Sequence, residues 1–233
     1  LLQSGLAKSA AADAYTIDNS LRFNAPDDPY LSRTFGAGNR RAWTASLWFR
    51  LGNIQGGSTG QRWLSPASGS QGNIQLYNSK IYFNPSNDGA GGNYALNLSR
   101  VFRDPSAWYH LVAVWDSDNA VEADRIRLYV NGERETAFND DDFPPRYTDS
   151  AYINTAVLHY ISTYNASDEP IDGYLAEYYF IDGQALDADS FGETDSGTNQ
   201  WKPIDASGLT FGTNGFYQKY GATELADSFT DSS

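Results

Sequence analysis

The hydrophobic pattern is clearest in the middle of the chain, in two neighbouring stretches at residues 108–115 and 125–130. Trp108–Trp115 is apolar at nearly every position, so a strand formed here should be covered on both faces. The second stretch alternates, with three aliphatic residues on one face and Arg125, Arg127 and Tyr129 on the other, which predicts a half-exposed strand. A buried strand paired with a half-exposed one is typical of a two-layer sandwich.

Further strand-like runs lie on both sides of this region, separated by turn-forming clusters of Gly, Asn, Asp, Ser and Pro. The predicted strands are residues 20–24, 43–50, 73–77, 80–83, 94–99, 136–138, 157–161 and 174–181. Long loops are predicted at residues 53–60, 86–93 and 139–150. Only residues 187–192 suggest a short helix, with Asp187 or Asp189 as its cap. This pattern predicts an all-β fold, a two-sheet antiparallel β-sandwich.

The length of 233 residues suits one large all-β domain. We predict an N-terminal arm at residues 1–14, a single domain at 15–222 and an acidic polar tail at 223–233. Neither a membrane-length apolar run nor a basic-then-apolar leader is visible, so we expect no membrane insertion.

The charge of the chain restricts its partners. Acidic residues outnumber basic ones by 29 to 16, for a formal net charge of −13, which repels nucleic acid and anionic membranes. The same field favours cations such as calcium, although solubility is the simpler explanation of the charge. The absence of cysteine excludes disulfides and thiolate sites and favours a bacterial or viral product.

Two enzyme classes are disfavoured by the sequence. A glycosidase needs two carboxylates on one face of the sheet, but Glu177 and Asp182 are five residues apart and would point to opposite faces of a regular strand. A serine hydrolase elbow of the Gly-x-Ser-x-Gly type is absent. Both histidines, His110 and His159, lie in predicted strands and are interpreted as structural.

Two kinds of binding site stay open. Aromatic residues make up 15% of the chain, and their rings could stack on sugars. The glycan-binding candidates in or near loops are Trp63, Tyr77, Tyr147, Tyr152 and Tyr164. The calcium candidates are Asp116, Asp118 and Asn119, with Asp140, Asp141 and Asp142 as a second acidic cluster. Solvated turn residues are the simpler interpretation of both acidic clusters.

Several motifs resemble a known family. WYHLVAVW at 108–115, LYVNG at 128–132 and DGYLAE at 172–177 resemble the laminin G-like and pentraxin-like branch of the concanavalin A-like lectin/glucanase jelly rolls. SLRFN at 20–24, GNRRAWTASLWFR at 38–50 and DGYLAEYYFIDGQALDADSFGE at 172–193 are similar, in order, to proteins encoded by tailed bacteriophages.

This resemblance implies a concanavalin A-like jelly roll on the surface of a phage particle, as a tail fibre, adhesin or capsid decoration, with an extracellular protein as the alternative. It implies binding to host-surface polysaccharide without catalysis, contacts with other virion proteins, and a homo-oligomer, with a trimer favoured. A polysaccharide depolymerase on the same scaffold and a pure capsid-stabilising cement protein are the alternatives.

Overall fold

The computed structural model describes residues 15–53, 60–67, 72–87, 93–221 and 231–233. Its strands, in chain order, are β1 (Leu21–Phe23), β2 (Leu31–Thr34), β3 (Ala42–Leu51), β4 (Gly60–Pro66), β5 (Asn73–Tyr77), β6 (Lys80–Asn87), β7 (Asn93–Leu98), β8 (Tyr109–Asp116), β9 (Ile126–Val130), β10 (Glu133–Arg134), β11 (Phe138–Asp142), β12 (Leu158–Ile161), β13 (Gly173–Asp182), β14 (Gly192–Thr194), β15 (Trp201–Pro203) and β16 (Phe216–Gln218). Single turns of 3-10 helix are at Ala25–Asp27, Glu122–Asp124 and Ala188–Ser190.

These strands form two large antiparallel sheets and a small hairpin. The first sheet has the order β1-β13-β3-β8-β9-β10, with β16 also paired to β13. The second has the order β11-β7-β6-β5-β4-β12-β2, and β14 pairs with β15. The predicted fold class, an all-β two-sheet antiparallel sandwich, is confirmed.

The inner faces of the two large sheets share one aromatic-rich core. Trp43 of the first sheet meets Phe83 of the second edge to face, with ring centroids 5.8 Å apart. Phe49 packs on Trp63 at 4.5 Å. Buried aromatic pairs of this kind add about 0.5–1.5 kcal/mol beyond the free energy of burying their area.

The outer face of the first sheet is also covered over much of its area. Residues 183–215, which we call the cover segment, bring Phe191 and Ala206 against Val112, Val114 and Ile181. Strand β8 therefore contributes Leu111, Ala113 and Trp115 to the inner core and its other apolar residues to this outer cluster. The prediction that this stretch is covered on both faces is confirmed for residues 110–115, whereas Trp108 and Tyr109 at its start are only partly buried.

The prediction of a half-exposed strand at Arg125–Val130 is wrong. All five residues of β9 are buried, including Arg127 and Tyr129 on the outer face. The cover segment lies over this face and supplies Asp187, which accepts hydrogen bonds from both side chains. The alternation is real, but the polar face meets a third layer of protein instead of water.

Glycine allows the cover segment to approach the sheet closely. Gly132 has a positive φ of 81° in the turn between β9 and β10, and a Cβ atom there would lie 2.3 Å from the Trp201 ring. A side chain at this position would push Trp201 away from the sheet.

Some boundaries differ from the predictions. Residues 136–138 were predicted as a strand and 139–150 as a loop, whereas β11 spans both at Phe138–Asp142. The predicted helix at 187–192 is a single 3-10 turn, and Asp187 forms no side-chain cap hydrogen bond. Strands β2, β4, β14, β15 and β16 were not predicted, since none has a clear alternating pattern.

The predicted arm at 1–14 and most of the predicted tail and of the loops 53–60 and 86–93 lie outside the described residues. Asp231 is described, and its carboxylate accepts a hydrogen bond from the Tyr217 backbone at 3.0 Å. Among the described residues, none forms a helix with the length and apolar character needed to cross a membrane.

Candidate functional site

The covered part of the outer face holds the buried histidine of β8. Trp201 donates its indole N–H to His110 Nδ1 at 3.0 Å, and His110 Nε2 lies 2.8 Å from Ser46 Oγ. Because Nδ1 accepts, Nε2 carries the proton and donates to the serine. Burial lowers the pKa of His110 to about 3. His110 therefore cannot act as a base toward Ser46, and the pair is structural.

A second buried group in this part of the sheet is Glu177. A bulge between Ala176 and Tyr179 interrupts β13, and Glu177 takes a φ of 46° there. Its Oε2 atom accepts hydrogen bonds from the hydroxyls of Tyr15 at 3.0 Å, Tyr179 at 2.5 Å and Tyr217 at 2.6 Å. Burial raises the pKa of Tyr15 to about 12. The cluster ties the 15–20 segment to the sheet.

Arg127 completes the polar groups under the cover segment. Its guanidinium contacts Asp187 at 3.0 Å and Asp116 at 3.5 Å, and its side chain is 7% exposed. The Tyr129 hydroxyl donates to the same Asp187 at 2.7 Å. Both carboxylates favour the charged guanidinium and so raise the pKa of Arg127 against the opposing effect of burial.

The outer face is open at the opposite end of the same strands. There, four side chains form a row across β1, β13, β3 and the residue before β8, in the order Arg22, Tyr174, Arg50 and Trp108. The row spans about 14 Å, since neighbouring strands are about 4.8 Å apart. We call these four residues the arginine–aromatic ladder. Its rings and guanidinium groups alternate, so each ring has a cation beside it.

The two arginines of the ladder differ in their partners. Arg22 contacts Asp172 at 2.6 Å and also stacks on Tyr174, with its guanidinium carbon 5.2 Å from the ring centroid. Arg50 lies between two rings, 4.3 Å from the Tyr174 centroid and 5.5 Å from that of Trp108. Arg50 forms no side-chain hydrogen bond or ion pair with any residue in the described ranges.

A pocket of about 370 Å³ lies beside the ladder. Trp48 and Trp108 supply its aromatic surface, while Ala176, Pro203 and the 15–20 segment complete the lining. Trp48 and Arg50 are two residues apart on β3 and share its outer face. Ala176 pairs with Trp48 across the sheet, and its small side chain leaves room above it. The Glu177 cluster holds Tyr15 in this wall.

The glycan-binding candidates from the sequence lie elsewhere. Trp63 is 1% exposed in the core, so its prediction as a sugar-stacking residue is wrong. It lies in β4 and packs on Phe49. Its neighbours in sequence are buried as well: Arg62 donates to the Glu169 carboxylate, and the Gln61 side-chain oxygen accepts a hydrogen bond from the Asp172 backbone N–H.

The other four candidates have separate neighbours. Tyr77 packs edge to face on Tyr82, Tyr164 stacks on Arg62, and Tyr147 is exposed beside Arg41 and Arg146. Tyr152 is partly buried in the segment before β12. These four side chains stay predictions, and the structure does not unite them in one pocket.

The calcium candidates are held by arginines. Asp116 contacts Arg127 and accepts a hydrogen bond from Asn119 at 3.1 Å, while Asp118 lies 3.6 Å from Arg41. A calcium ion would have to displace these guanidinium groups, and calcium binding at Asp116, Asp118 and Asn119 stays a prediction. Asp140, Asp141 and Asp142 are consecutive residues of edge strand β11 and alternate in direction. Across the described residues, no three His, Asp or Glu side chains converge as metal ligands.

The stretch 43–50 contains a sequence pattern that could have indicated the residues of the open end. One face of this strand carries Ala45, Leu47 and Phe49, which belong to the core. The opposite face ends in Trp48, which is 9% exposed, and the half-buried Arg50. The missing information was the position of the cover segment, since it decides which outer-face residues stay open.

Comparison with known proteins defines the family. A family profile described as the concanavalin A-like lectin/glucanases superfamily matches residues 26–190. The match spans more than half of the 233 residues. The chain belongs to this superfamily. The concanavalin A-like family inferred from the sequence motifs is thereby confirmed, whereas the resemblance to tailed-phage proteins stays a prediction.

Solved structures of this superfamily type are similar in fold. A native heptameric SAP-like pentraxin from Limulus polyphemus is 16% identical, with a TM-score of 0.51 over 74% of this chain and 80% of the pentraxin chain. Domains LG4-5 of the mouse laminin alpha1 chain are 12% identical, with a TM-score of 0.51 over 90% of this chain and 49% of that one. Identities this low show the shared fold alone. No curated protein sequence matches the chain.

Membership of the concanavalin A-like superfamily does not decide between binding and catalysis, because its name covers lectins and glucanases alike. The chemistry of the open end has to decide. This end offers aromatic faces, two guanidinium groups and a pocket whose lining includes the Asp18 carboxylate.

Proposed function

We propose that this protein is a non-catalytic carbohydrate-binding domain, and that the open end of the first sheet is its binding site. The observation that carries the proposal is the 370 Å³ pocket with the Trp48 and Trp108 rings, next to the arginine–aromatic ladder. Flat aromatic faces complement the apolar C–H faces of sugars, while guanidinium groups bind their oxygens.

The buried polar groups support binding over catalysis. Glycoside hydrolysis needs two carboxylates about 5–9.5 Å apart across an accessible bond. Glu177 is saturated on Oε2 by three phenol hydroxyls, and Asp182 accepts hydrogen bonds from Asn39, Asn154 and Asn214. Both side chains are buried and occupy separate clusters. Neither has a free carboxylate to offer a substrate.

The biological setting of the proposal comes from the sequence motifs. We propose host-surface polysaccharide as the ligand and the virion surface of a tailed phage as the location, in a homo-oligomer with other virion proteins as neighbours. Labelling the chain on intact particles would test the location. Its absence from particles, with the protein found free outside cells, would favour the extracellular alternative.

A binding experiment tests the proposed site. Replacing Trp108 with Ala should weaken binding to the best ligand of a mixed neutral and acidic glycan array by about tenfold or more, since a buried Trp in an interface is worth more than about 1.4 kcal/mol. Trp108→Phe should restore part of the affinity. Tyr147→Ala is the comparison variant, because Tyr147 is an exposed glycan-binding candidate from the sequence that does not line the pocket, so the proposal predicts that this substitution leaves the affinity unchanged.

Two results would contradict this proposal. One is equal affinity of the Trp108 and Tyr147 variants for a glycan that the wild type binds. The other is a wild type that binds no glycan on the array. Incubation with the bound polysaccharide should release no oligosaccharides, and their release would establish the depolymerase alternative.

A further inference from the structure

Arg50, at the open end, lacks hydrogen-bond and ion-pair partners among the described residues. Its Nε atom is buried without a partner, and its guanidinium makes no ion pair in the described part of the chain. The other two arginines described on this sheet face are paired with carboxylates: Arg22 with Asp172, and Arg127 with Asp187 and Asp116. Leaving donors unpaired at a semi-buried position costs free energy that a ligand can recover.

The two flanking rings fix the direction of the Arg50 guanidinium. The Tyr174 and Trp108 rings flank the guanidinium, whose central carbon lies 4.3 and 5.5 Å from their centroids. Its Nε atom is buried, whereas the two terminal nitrogens are not among the buried unpaired atoms and form no ion pair with the described residues, so their donors stay available. A planar fork with free donors matches a carboxylate, which accepts two parallel hydrogen bonds. A neutral hydroxyl would satisfy this fork less completely.

We propose that Arg50 binds the carboxylate of an acidic sugar, a uronate or sialate, in an oligosaccharide that stacks in the Trp48–Trp108 pocket. This inference rests on the proposed function and names its ligand class. Trp108 joins the two parts, because it lines the pocket and also flanks Arg50. One sugar unit then binds in the pocket, and the carboxylate of that unit or of the adjacent sugar unit binds the Arg50 guanidinium.

The charge of the protein narrows the ligand further. The net charge of −13 repels polyanions. At physiological salt, screening limits this repulsion to charges within about 8–10 Å of the protein surface. A single local cation therefore selects a glycan with isolated carboxylates separated by neutral sugars. A densely sulfated polysaccharide such as heparin should bind poorly.

One carboxylate of the pocket rim opposes the ligand charge. Asp18 lines the pocket and accepts a hydrogen bond from Thr16 Oγ1 at 3.0 Å within its own segment. We expect Asp18→Asn to strengthen binding of an acidic oligosaccharide about twofold, because the substitution removes a like charge near the ligand. It should leave binding of a neutral oligosaccharide unchanged.

The experiment compares each acidic oligosaccharide with its own carboxyl-reduced form, in which the acid is an alcohol. The panel contains hyaluronan and sialylated oligosaccharides, heparin and neutral oligosaccharides, measured by calorimetry with wild type, Arg50→Gln and Tyr147→Ala. The wild type should bind an acidic member about 10- to 100-fold more tightly than its reduced form. Arg50→Gln should abolish this preference and keep the binding of the reduced form, while Tyr147→Ala should behave as wild type.

The outcomes separate the inference from the proposed function. Glycan binding that is indifferent to carboxyl reduction, or an unchanged acid preference in Arg50→Gln, overturns the role of Arg50 and leaves carbohydrate binding intact. Heparin as the tightest ligand overturns the preference for isolated carboxylates. Absence of binding to every member, neutral and acidic, overturns both proposals.

Discussion

Two arginines on the same face of the same sheet have opposite surroundings. Arg127 on β9 is 7% exposed, with two carboxylates and the Asp124 carbonyl around its guanidinium. Arg50 on β3 lies between two aromatic rings and has no charged partner among the described residues. Both follow the same outward parity of a β-strand, so the strand pattern does not distinguish them.

The cover segment causes the difference. Residues 183–215 bring Asp187 to Arg127 and bury it, but the segment ends its coverage near Pro203, at the edge of the pocket. An arginine under a third layer has to be neutralised within the protein. An arginine beyond that layer can keep its donors for a ligand. The comparison teaches that the extent of the cover segment divides this face into a structural part and a binding part.

The largest loss of stability is expected from substitution of Phe191, which anchors the cover segment to the first sheet. Phe191→Ala removes a buried ring that contacts Tyr179 and His110, with centroids at 5.6 and 6.5 Å. The free energy of unfolding should fall by about 3–5 kcal/mol. Urea denaturation measures this loss. Phe191→Leu is the control, with an expected loss well below that of Ala, and equal losses for the two variants would contradict the anchoring role.

A direct contrast of the two arginines should give the next largest effect. Arg127→Leu leaves Asp187 and Asp116 without their cation and should cost about 2–4 kcal/mol of unfolding free energy. Arg50→Leu loses only stacking contacts and should cost at most about 1 kcal/mol. Thermal unfolding of both variants tests the comparison. Similar losses would remove the distinction between the two parts of the face.

Acidification should destabilise the covered and core regions through their histidines. Burial lowers the pKa of His110 to about 3 and that of His159 to about 4, whereas an unfolded histidine titrates near 6.5. The unfolded state therefore binds more protons below pH 6.5, so this contribution is complete above pH 6.5 and is lost as the pH falls toward 4. The loss reaches up to about 1.4 kcal/mol per pH unit for each histidine.

Denaturation midpoints between pH 7.5 and 4.5 measure this dependence. His159→Gln should reduce the pH slope between 6.5 and 5, because one of the two histidine contributions is removed. An unchanged slope in the variant would show that His159 titrates normally in the folded protein. The open end has no histidine in its pocket lining, so its own groups should not add to the slope.

The two-sheet sandwich could be predicted from the sequence, whereas the residues of its outer face that are exposed could not. The periodicity of residues 43–50 and 108–115 was enough for the sandwich, since parity decides which side chains enter the core. It could not place the cover segment, whose 3-10 turn and short hairpin have no periodic pattern. Arg127 and Tyr129 were therefore expected to face water. Trp63 was misplaced for a related reason, because β4 mixes Gly, Arg, Ser and Pro with its apolar residues.

The binding site was beyond the sequence because it is defined by neighbours from distant parts of the chain. Trp48, Trp108 and Tyr174 come from three strands that only the sheet order brings together. The bulge at Glu177 was equally invisible, since five-residue spacing predicts opposite faces only in a regular strand. Parity arguments hold within a strand and fail at a bulge or at a third layer.

The most direct test is an NMR titration with the tightest oligosaccharide of the panel, followed through the backbone amide signals and the indole N–H signals of the six tryptophans. The account predicts that the Trp108 and Trp48 signals shift on binding, while Trp43, Trp63 and Trp115, all buried in the core, stay fixed. Shifts that instead cluster around Tyr77 and Tyr82 on the second sheet, with Trp48 and Trp108 unchanged, would contradict the open end as the carbohydrate site.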